Sequence, residues 1–183
     1  MAATDPLRVR RVHSAELTPS EVEVLRAMFA AAWPPGEFDE TDWEHASGGI
    51  HVLVEDDGEI RAHAAVVERD IEAAGHLLDT GYVEAVATWP EHEGRGYGSA
   101  AMEEAGRLIA ERYELGALAT GRPSFYERLG WQPWRGPTFV REIDGLARTT
   151  DDDGAIFVLV TDRTPPLDLD AEIISDWRVG DPW

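Results

Sequence analysis

Apolar residues change their spacing repeatedly along the chain, and each change marks an element. Leu7–Val12 reads as a first strand. From about Ser20 to Ala32, apolar residues at Val24, Leu25, Met28, Phe29 and Ala32 fall on one helix face. Ser20 with Glu23 three residues on fits an N-terminal capping box, and Pro34–Pro35–Gly36 ends the helix. A second short helix is expected over Thr41–Ala46, stopped by Gly48–Gly49. Ile50–Val54 and Ile60–Val67 read as strands on either side of Asp56–Asp57–Gly58, a hairpin turn signal. Gly81–Thr88 is strand-like. The spacing is helical again from Gly98 to about Arg112, with Met102, Ala105, Leu108 and Ile109 on one face. Leu115–Thr120 is a compact apolar strand, Ser124–Leu129 a short helix closed by Gly130, and Thr138–Ile143 and Ala155–Val160 two further strands. Residues 1–6 read as a loose start. The tail from Thr164 to Trp183 holds two prolines, then mixed acidic and apolar positions.

This order predicts a mixed α/β sheet in one domain over 1–183. Its strong crossover candidate is strand Gly81–Thr88, helix 98–112, strand Leu115–Thr120. Alternation along the first strand puts Tyr82, Glu84 and Val86 on one face and Val83, Ala85 and Ala87 on the other. A glutamate inside an otherwise apolar strand is unusual, because burying a carboxylate without a partner is costly. Glu84 is therefore either a structural group bonded to nearby backbone or a working one.

Composition narrows the partners. The chain has 183 residues, 43% of them apolar, enough to bury a real core. Its formal net charge is −20, which argues against nucleic acid or an anionic membrane and suits a cationic ligand. There is no cysteine, which excludes disulfides, thiolate nucleophiles and cysteine zinc sites. His13, His45, His51, His63, His76 and His92 show no i, i+4 pairing, so no metal is expected, and His45 and His51 read as structural. Trp43, Trp131 and Trp134 read as packing residues. No run of about 18 apolar residues and no signal-peptide core occurs, so the cytoplasm is the expected location.

The most informative stretch is G-Y-V-E-A-V-A-T-W-P-E-H-E-G-R-G-Y-G-S-A-A-M, residues 81–102. Gly94, Gly96 and Gly98 alternate between a strand and a helix start. Missing Cβ atoms let the backbone turn tightly, and N–H groups at a helix N-terminus favour an anion such as a pyrophosphate. On its own, a glycine-rich strand-to-helix turn is ordinary. Together with the later S-F-Y-E-R-L-G-W, however, this stretch resembles the GCN5-related N-acetyltransferase superfamily, whose acetyl-CoA loop reads [QR]-x-x-G-x-[GA]. Here those positions are Glu93, Gly96 and Gly98. Further segments, F-D-E-T-D-W-E-H, R-L-G-W-Q-P-W-R-G-P-T, D-D-D-G-A-I-F-V-L and the closing D-W-R-V-G-D-P-W, are similar to the aminoglycoside 2′-N-acetyltransferases from about Arg8 to Trp183.

The resemblance implies a fold: a central mixed, splayed β-sheet flanked by helices, in one domain, with the tail 164–183 contributing to the substrate site. It implies acetyl-CoA as cofactor, a homodimer, and N-acetylation of an aminoglycoside or other cationic amino sugar. Glu84 is then the base, acting through water, and Tyr126 the acid near the cofactor sulfur, its ordinary phenol pKa of about 10 being close to that of a leaving thiol. Cofactor contacts fall to the backbone of Val86, Ala87 and Thr88, to Glu93, Gly94, Arg95, Gly96, Tyr97, Gly98 and Ser99, and to Pro123 and Ser124. Substrate contacts fall to Glu37, Asp42, Glu84, Ala85, Ala119, Asp152, Asp181 and Trp183, with the α-carboxylate of Trp183 meeting a substrate ammonium. The bland alternatives are a packed Tyr126, a solvated Arg95 and acidic runs that are simply surface.

Three departures from the family pattern bear on specificity. Glu93 replaces Gln or Arg, Glu37 replaces Asp, and the A-T-G-R-P-S stretch is short, with Ala119 where a hydroxyl would contact the drug and Thr120 in reach to compensate. The rival functions are acetylation of another amine and non-catalytic binding of acyl-CoA or a cationic sugar.

Overall fold

The computed structural model describes residues 7–183, so the loose start expected at 1–6 lies outside the described residues. Strand β1 (Arg8–His13) leads to helix α1 (Pro19–Ala32). Thr18, not Ser20, caps α1: its side chain accepts from Glu21 N–H and Glu21 reaches back to Thr18 N–H. Pro19 at the first helical position has its φ preset and no N–H to orphan, which moves the start two residues upstream. Helix α2 (Glu40–Ala46) is capped the same way by Asp39 and Asp42.

Strands β2 (Ile50–Asp56) and β3 (Glu59–Ala73) join through Asp57 and Gly58, both with positive φ, the turn that Asp-Gly favours. β3 runs six residues past the expected end, and β4 (His76–Thr88) begins five residues before the expected start. Glu68, Arg69 and Asp70, of which Glu68 and Asp70 are exposed, hide this continuity in the sequence, because three charges interrupt the apolar run. Helix α3 (Tyr97–Arg112), strand β5 (Leu115–Ala119) and helix α4 (Pro123–Glu127) follow, close to their expected ranges. The remaining strands are β6 (Gln132–Pro133), β7 (Thr138–Glu142), β8 (Gly145–Arg148), β9 (Ile156–Val160) and β10 (Ile173–Asp176). β6, β8 and β10 are not predicted by the sequence pattern.

The chain divides into two compact units. The first comprises the described residues through Val67 and Val83–Ala105. In it, β1 pairs antiparallel with β2, and β2 with β3. Leu25, Met28 and Phe29 of α1 are buried in a cluster with Val12, Leu53, Ile60 and Ala87, and Phe38, Trp43, Ala85 and Trp89 pack against it. Each large side chain so covered contributes roughly 1.5–3 kcal/mol. These contacts fix α1 by its apolar stripe, as the periodicity predicts.

The second unit comprises Glu68–Tyr82 and Gly106–Trp183. The strand order β6-β9-β5-β4-β3-β10-β7-β8 runs across it. Thr80–Tyr82 of β4 lies parallel to Leu115–Ala117 of β5, so the predicted crossover is present. That ladder ends at Tyr82, while β4 continues to Thr88. Gly81 is required here by space: a Cβ would stand 2.7 Å from Tyr113 and 2.8 Å from Ile109. β10, from the tail, inserts between β3 and β7, antiparallel to the first and parallel to the second. Among the described residues, no helix is long and apolar enough to cross a membrane.

Candidate functional site

Glu84 stands where β4 leaves extended geometry. Ala85, the next residue, has a φ of +51°, a left-handed conformation that costs an L-residue about 1–2 kcal/mol. A single residue of this kind breaks the side-chain alternation of the strand. The expected faces therefore do not hold: Tyr82 and Val83 are both buried, Glu84, Ala85 and Val86 are all partly exposed, and Ala87 is buried again. The Ala85 carbonyl is held by His63, whose Nδ1 lies 2.7 Å away.

Beyond Thr88 the chain enters the glycine loop. Gly94 and Gly96 have φ of 75° and 88°, and a Cβ at either would meet nothing within 4 Å. Their backbone conformation, not crowding, calls for glycine. Gly98 is already inside α3, whose first intrahelical bond, Ala100 N–H to Gly96 O, is 2.9 Å. The N–H groups of Tyr97, Gly98 and Ser99 belong to the first turn, which has no intrahelical acceptors for them. The side chain of Tyr97 is already occupied: its hydroxyl donates to Asp56 in the β2–β3 hairpin, and that bond raises its pKa. Tyr97 therefore offers a ligand its backbone, while its phenol pins the start of α3. Glu93 and Arg95 are exposed.

Glu37 and Asp42 flank Phe38 and Trp43, the two rings that pack on the same cluster as Ala85. Glu37 is exposed. Asp42 is half-buried, and one of its oxygens accepts from Asp39 N–H at 2.8 Å, so its carboxylate also serves as a helix cap. A groove of about 490 Å³ on this unit is lined by Glu21, Glu55, Ile60, Arg61, Trp89 and His92 among others. None of the predicted site residues lines it.

On the second unit, Tyr126 is 8% exposed and packs edge-on against Phe125 and Trp131, with centroids at 4.9 and 6.3 Å. Burial pushes its phenol up to about 12; the charge of Arg122 and a bond from Thr120 oppose that rise. Thr120 Oγ1 also accepts from Arg122 N–H at 2.8 Å. Thr120 is thus a partner of Tyr126 rather than a substitute for the hydroxyl missing at Ala119. Pro123 and Ser124 open α4 and are exposed.

Ala119, Asp152, Asp181 and Trp183 are tied to one another through short bonds. Ala119 pairs with Ile156, Thr120 N–H donates to Ala155 O, and Ala155 N–H donates to Asp152 O. Trp183 is 3% exposed; its indole N–H donates to Thr149 Oγ1 at 3.1 Å and its backbone N–H to Asp181 Oδ1 at 3.0 Å. Burial raises the pKa of Asp152, and the neighbouring Asp181, Asp151 and Asp153 charges add to this. Asp153 differs: Arg148 and Thr138 engage it and hold its carboxyl far below the ordinary range. The tail is pinned by two arginines. Arg69 donates to Pro182 O at 2.8 Å, Arg178 donates to Asp181 O at 2.6 Å, and both lie over the ring of Tyr82.

Ser14, His63, Thr149, Arg69 and Arg178 are not among the site residues that the sequence predicts, and His51 is predicted there only as structural. The two histidines had a signal, each sitting in an apolar strand. The arginines had none, because their partners lie over 100 residues away or in a tail without periodicity.

In chemical terms, the first unit offers an interrupted strand, a carboxylate beside the interruption, and a row of N–H groups. These suit an extended amide chain ending in a pyrophosphate. The second offers a neutral phenol and a group of carboxylates of which one is costly to ionise. These suit a proton donor and a cation site.

The family model for the acetyltransferase (GNAT) domain matches residues 8–134. An aminoglycoside 2′-N-acetyltransferase of Mycolicibacterium fortuitum is 41% identical over 179 residues, covering 95% of this chain and 91% of that protein. Among solved structures, a GNAT family acetyltransferase from Brucella melitensis in complex with acetyl-CoA superposes with a TM-score of 0.59 at 16% identity, covering 88% and 92% of the two chains. A GCN5-related N-acetyltransferase from Kribbella flavida gives 0.59 at 20% identity; the match covers 73% of this chain and 34% of that one, about a third of its length.

Proposed function

The chain belongs to the acetyltransferase (GNAT) family, and from that premise we propose that it transfers the acetyl group of acetyl-CoA to the 2′-amino group of aminoglycoside antibiotics, conferring resistance. The observation that carries this reading is the left-handed Ala85 beside Glu84, in a strand whose ladder to β5 has already ended. The identity of 41% to a protein of that activity supports the choice of substrate, and the net charge of −20 suits a polycation.

Acetyl-CoA supplies an acetyl group already activated as a thioester. Val86, Ala87 and Thr88 pair with its pantetheine amides through their backbone, as an added strand would. The N–H groups from Gly94 to Ser99 bind the pyrophosphate, Arg95 supplies countercharge, Glu93 lies beside that row, and Pro123 and Ser124 border the arm. Glu84 takes, through water, the proton whose loss turns the substrate's 2′-ammonium into the amine that attacks the thioester carbonyl. Tyr126 donates a hydrogen bond to the departing sulfur. With its phenol near 12, it stabilises the leaving group mainly by that bond, since full transfer to a thiolate of ordinary basicity, about 8.5, is uphill. Glu37, Asp42, Asp152 and Asp181 accept the drug's ammonium groups, with Ala85, Ala119 and Trp183 shaping the site.

Residues 1–183 serve this one function, the tail 164–183 contributing to substrate binding. The protein acts in the cytoplasm, where acetyl-CoA is made, and needs neither nucleic acid nor membrane. Exposed Ile143, Leu146, Trp177 and Val179 on the second unit support a homodimer, which sedimentation would register as twice the chain mass. The decisive assay is thiol release from acetyl-CoA with tobramycin, which has a 2′-amine, against kanamycin A, which has a 2′-hydroxyl. Release with tobramycin alone is expected. Equal release with both rejects 2′ regiospecificity, and tight binding without release makes the protein a sequestering binder.

A further inference from the structure

His63 is completely buried on β3 and His51 on β2, and neither is used by the chemistry proposed above. They are linked in a line. Ser14 Oγ lies 2.8 Å from His51 Nε2, His51 Nδ1 lies 2.8 Å from His63 Nε2, and His63 Nδ1 lies 2.7 Å from the carbonyl of Ala85. Burial keeps both rings neutral, pushing His51 down to about 4 and His63 to about 3. Each ring therefore holds one proton.

The direction of every bond then follows from the last one. A carbonyl can only accept, so the proton of His63 is on Nδ1. Its Nε2 is bare and must accept, so the proton of His51 is on Nδ1 as well. The Nε2 of His51 is bare in turn and accepts from the Ser14 hydroxyl. Ser14 fits this role. Its oxygen accepts from Gly48 N–H at 2.9 Å, and its hydroxyl has two acceptors in reach, His51 Nε2 at 2.8 Å and Gly49 O at 3.1 Å; the imidazole nitrogen is the nearer, and Gly49 O also receives Ser14 N–H at 3.0 Å. Four groups from the loop after β1, from β2, from β3 and from β4 thus have one consistent set of proton positions.

We propose that Ser14, His51 and His63 form a one-way hydrogen-bond relay that clamps the Ala85 carbonyl and holds β4 in its interrupted shape. His63 is the positioning residue, and the relay acts on the reaction only through the backbone that carries Glu84 and Val86–Thr88. A carbonyl turned out of the strand by a left-handed residue needs a donor, and an aspartate or lysine in this apolar setting would bring a charge. A neutral imidazole supplies the donor without one. The rings are also confined laterally, His63 by Phe29 at 5.1 Å and His51 by Trp43 at 6.1 Å. The inference rests on the reading that coenzyme A binds along Val86–Thr88.

The test has two arms. In the first, nitrogen NMR of imidazole-labelled wild-type protein at neutral pH reports which ring nitrogen carries the proton. Protonated Nδ1 and bare Nε2 in both His51 and His63 are expected, the reverse of the tautomer that free imidazoles favour. Protonated Nε2 at His63 overturns the relay. In the second arm, coenzyme A binding is measured by calorimetry, and steady-state rates alongside it, for wild type, His63→Leu and His63→Asn. The amide nitrogen of asparagine stands where Nδ1 stood, so it restores the donor to Ala85. His63→Leu should weaken coenzyme A and lower kcat/KM for acetyl-CoA by roughly 10- to 100-fold, leave the amino-sugar KM in place, and be largely rescued in His63→Asn. Equal behaviour of the two variants, or unchanged affinity in His63→Leu, overturns the proposal. Failure of wild type to bind coenzyme A would instead remove the cofactor reading, with the tautomers still deciding the relay. If His63→Leu does not fold, as circular dichroism would show, the tautomers and His63→Asn decide the matter.

Discussion

The indole N–H of Trp183 donates to the hydroxyl of Thr149 at 3.1 Å, joining the end of the tail to the turn that carries Asp152. A residue with 3% exposure at the end of a segment without periodicity is held by specific bonds rather than by sequence-local structure. Two carboxylates, Asp152 and Asp181, consequently share one neighbourhood.

Trp183→Ala should therefore release the tail while leaving the rest of the fold intact. The expected outcome is an amino-sugar KM raised about tenfold, with coenzyme A affinity unchanged. Kinetics with each substrate varied in turn, together with faster proteolysis of the tail, would check it. An unchanged KM removes the tail from the substrate site.

Tyr126→Phe should lower kcat by roughly 100-fold and leave coenzyme A binding unaltered, since the ring packing survives and only the donor is lost. Thr120→Val should have a smaller effect in the same direction. Without its bond to Thr120, which opposes the rise caused by burial, the phenol's pKa rises further and it becomes a poorer donor. Single-turnover rates of thioester cleavage distinguish both from a binding defect. A Tyr126→Phe enzyme with wild-type turnover would make the tyrosine a packing residue.

Asp152 is costly to ionise in the fold, so function and stability pull against each other there. Its carboxyl is raised above the ordinary value by burial and by neighbouring aspartates. The folded chain therefore binds its proton more tightly than the unfolded chain does, and the charge destabilises the fold at neutral pH. Asp152→Asn should raise Tm measurably and raise the amino-sugar KM by roughly tenfold. In wild type, KM should rise as pH falls through the raised pKa of Asp152, and in the variant that rise should be absent. Calorimetry and KM against pH test the two halves together.

His51 and His63 act in the opposite sense. Both stay neutral in the fold to about pH 4 and 3, whereas in the unfolded chain they take up protons from about pH 6.5 downward. Their contribution to stability is whole above pH 6.5 and is lost as pH falls towards those values. The unfolding free energy from urea titration should drop between pH 6.5 and 5, at up to about 1.4 kcal/mol per pH unit for each ring. His51→Phe should reduce that slope. A flat profile in this range would mean that the rings are solvated and charged.

Sequence alone determined what depends on neighbours a few residues away. The stripe Leu25, Met28, Phe29 fixed the buried face of α1, and Met102, Ala105, Leu108 and Ile109 fixed that of α3. Asp57–Gly58 fixed a hairpin, and the strand–helix–strand run fixed the parallel pairing of Thr80–Tyr82 with Leu115–Ala117. The glycine loop was legible because a positive φ selects a residue type locally. Only the tertiary structure decided the rest. Alanine has no intrinsic preference for φ of +51°, so nothing at position 85 announced the bend; the carbonyl it turns out lies 2.7 Å from Nδ1 of His63, 22 residues upstream. Ile173–Asp176 is a strand through its pairing with β3 on one side and β7 on the other, and no spacing within the tail encodes those partners. Hydrogen bonds between remote segments are settled by which surfaces meet, and that information resides in the packed chain rather than in any window of residues.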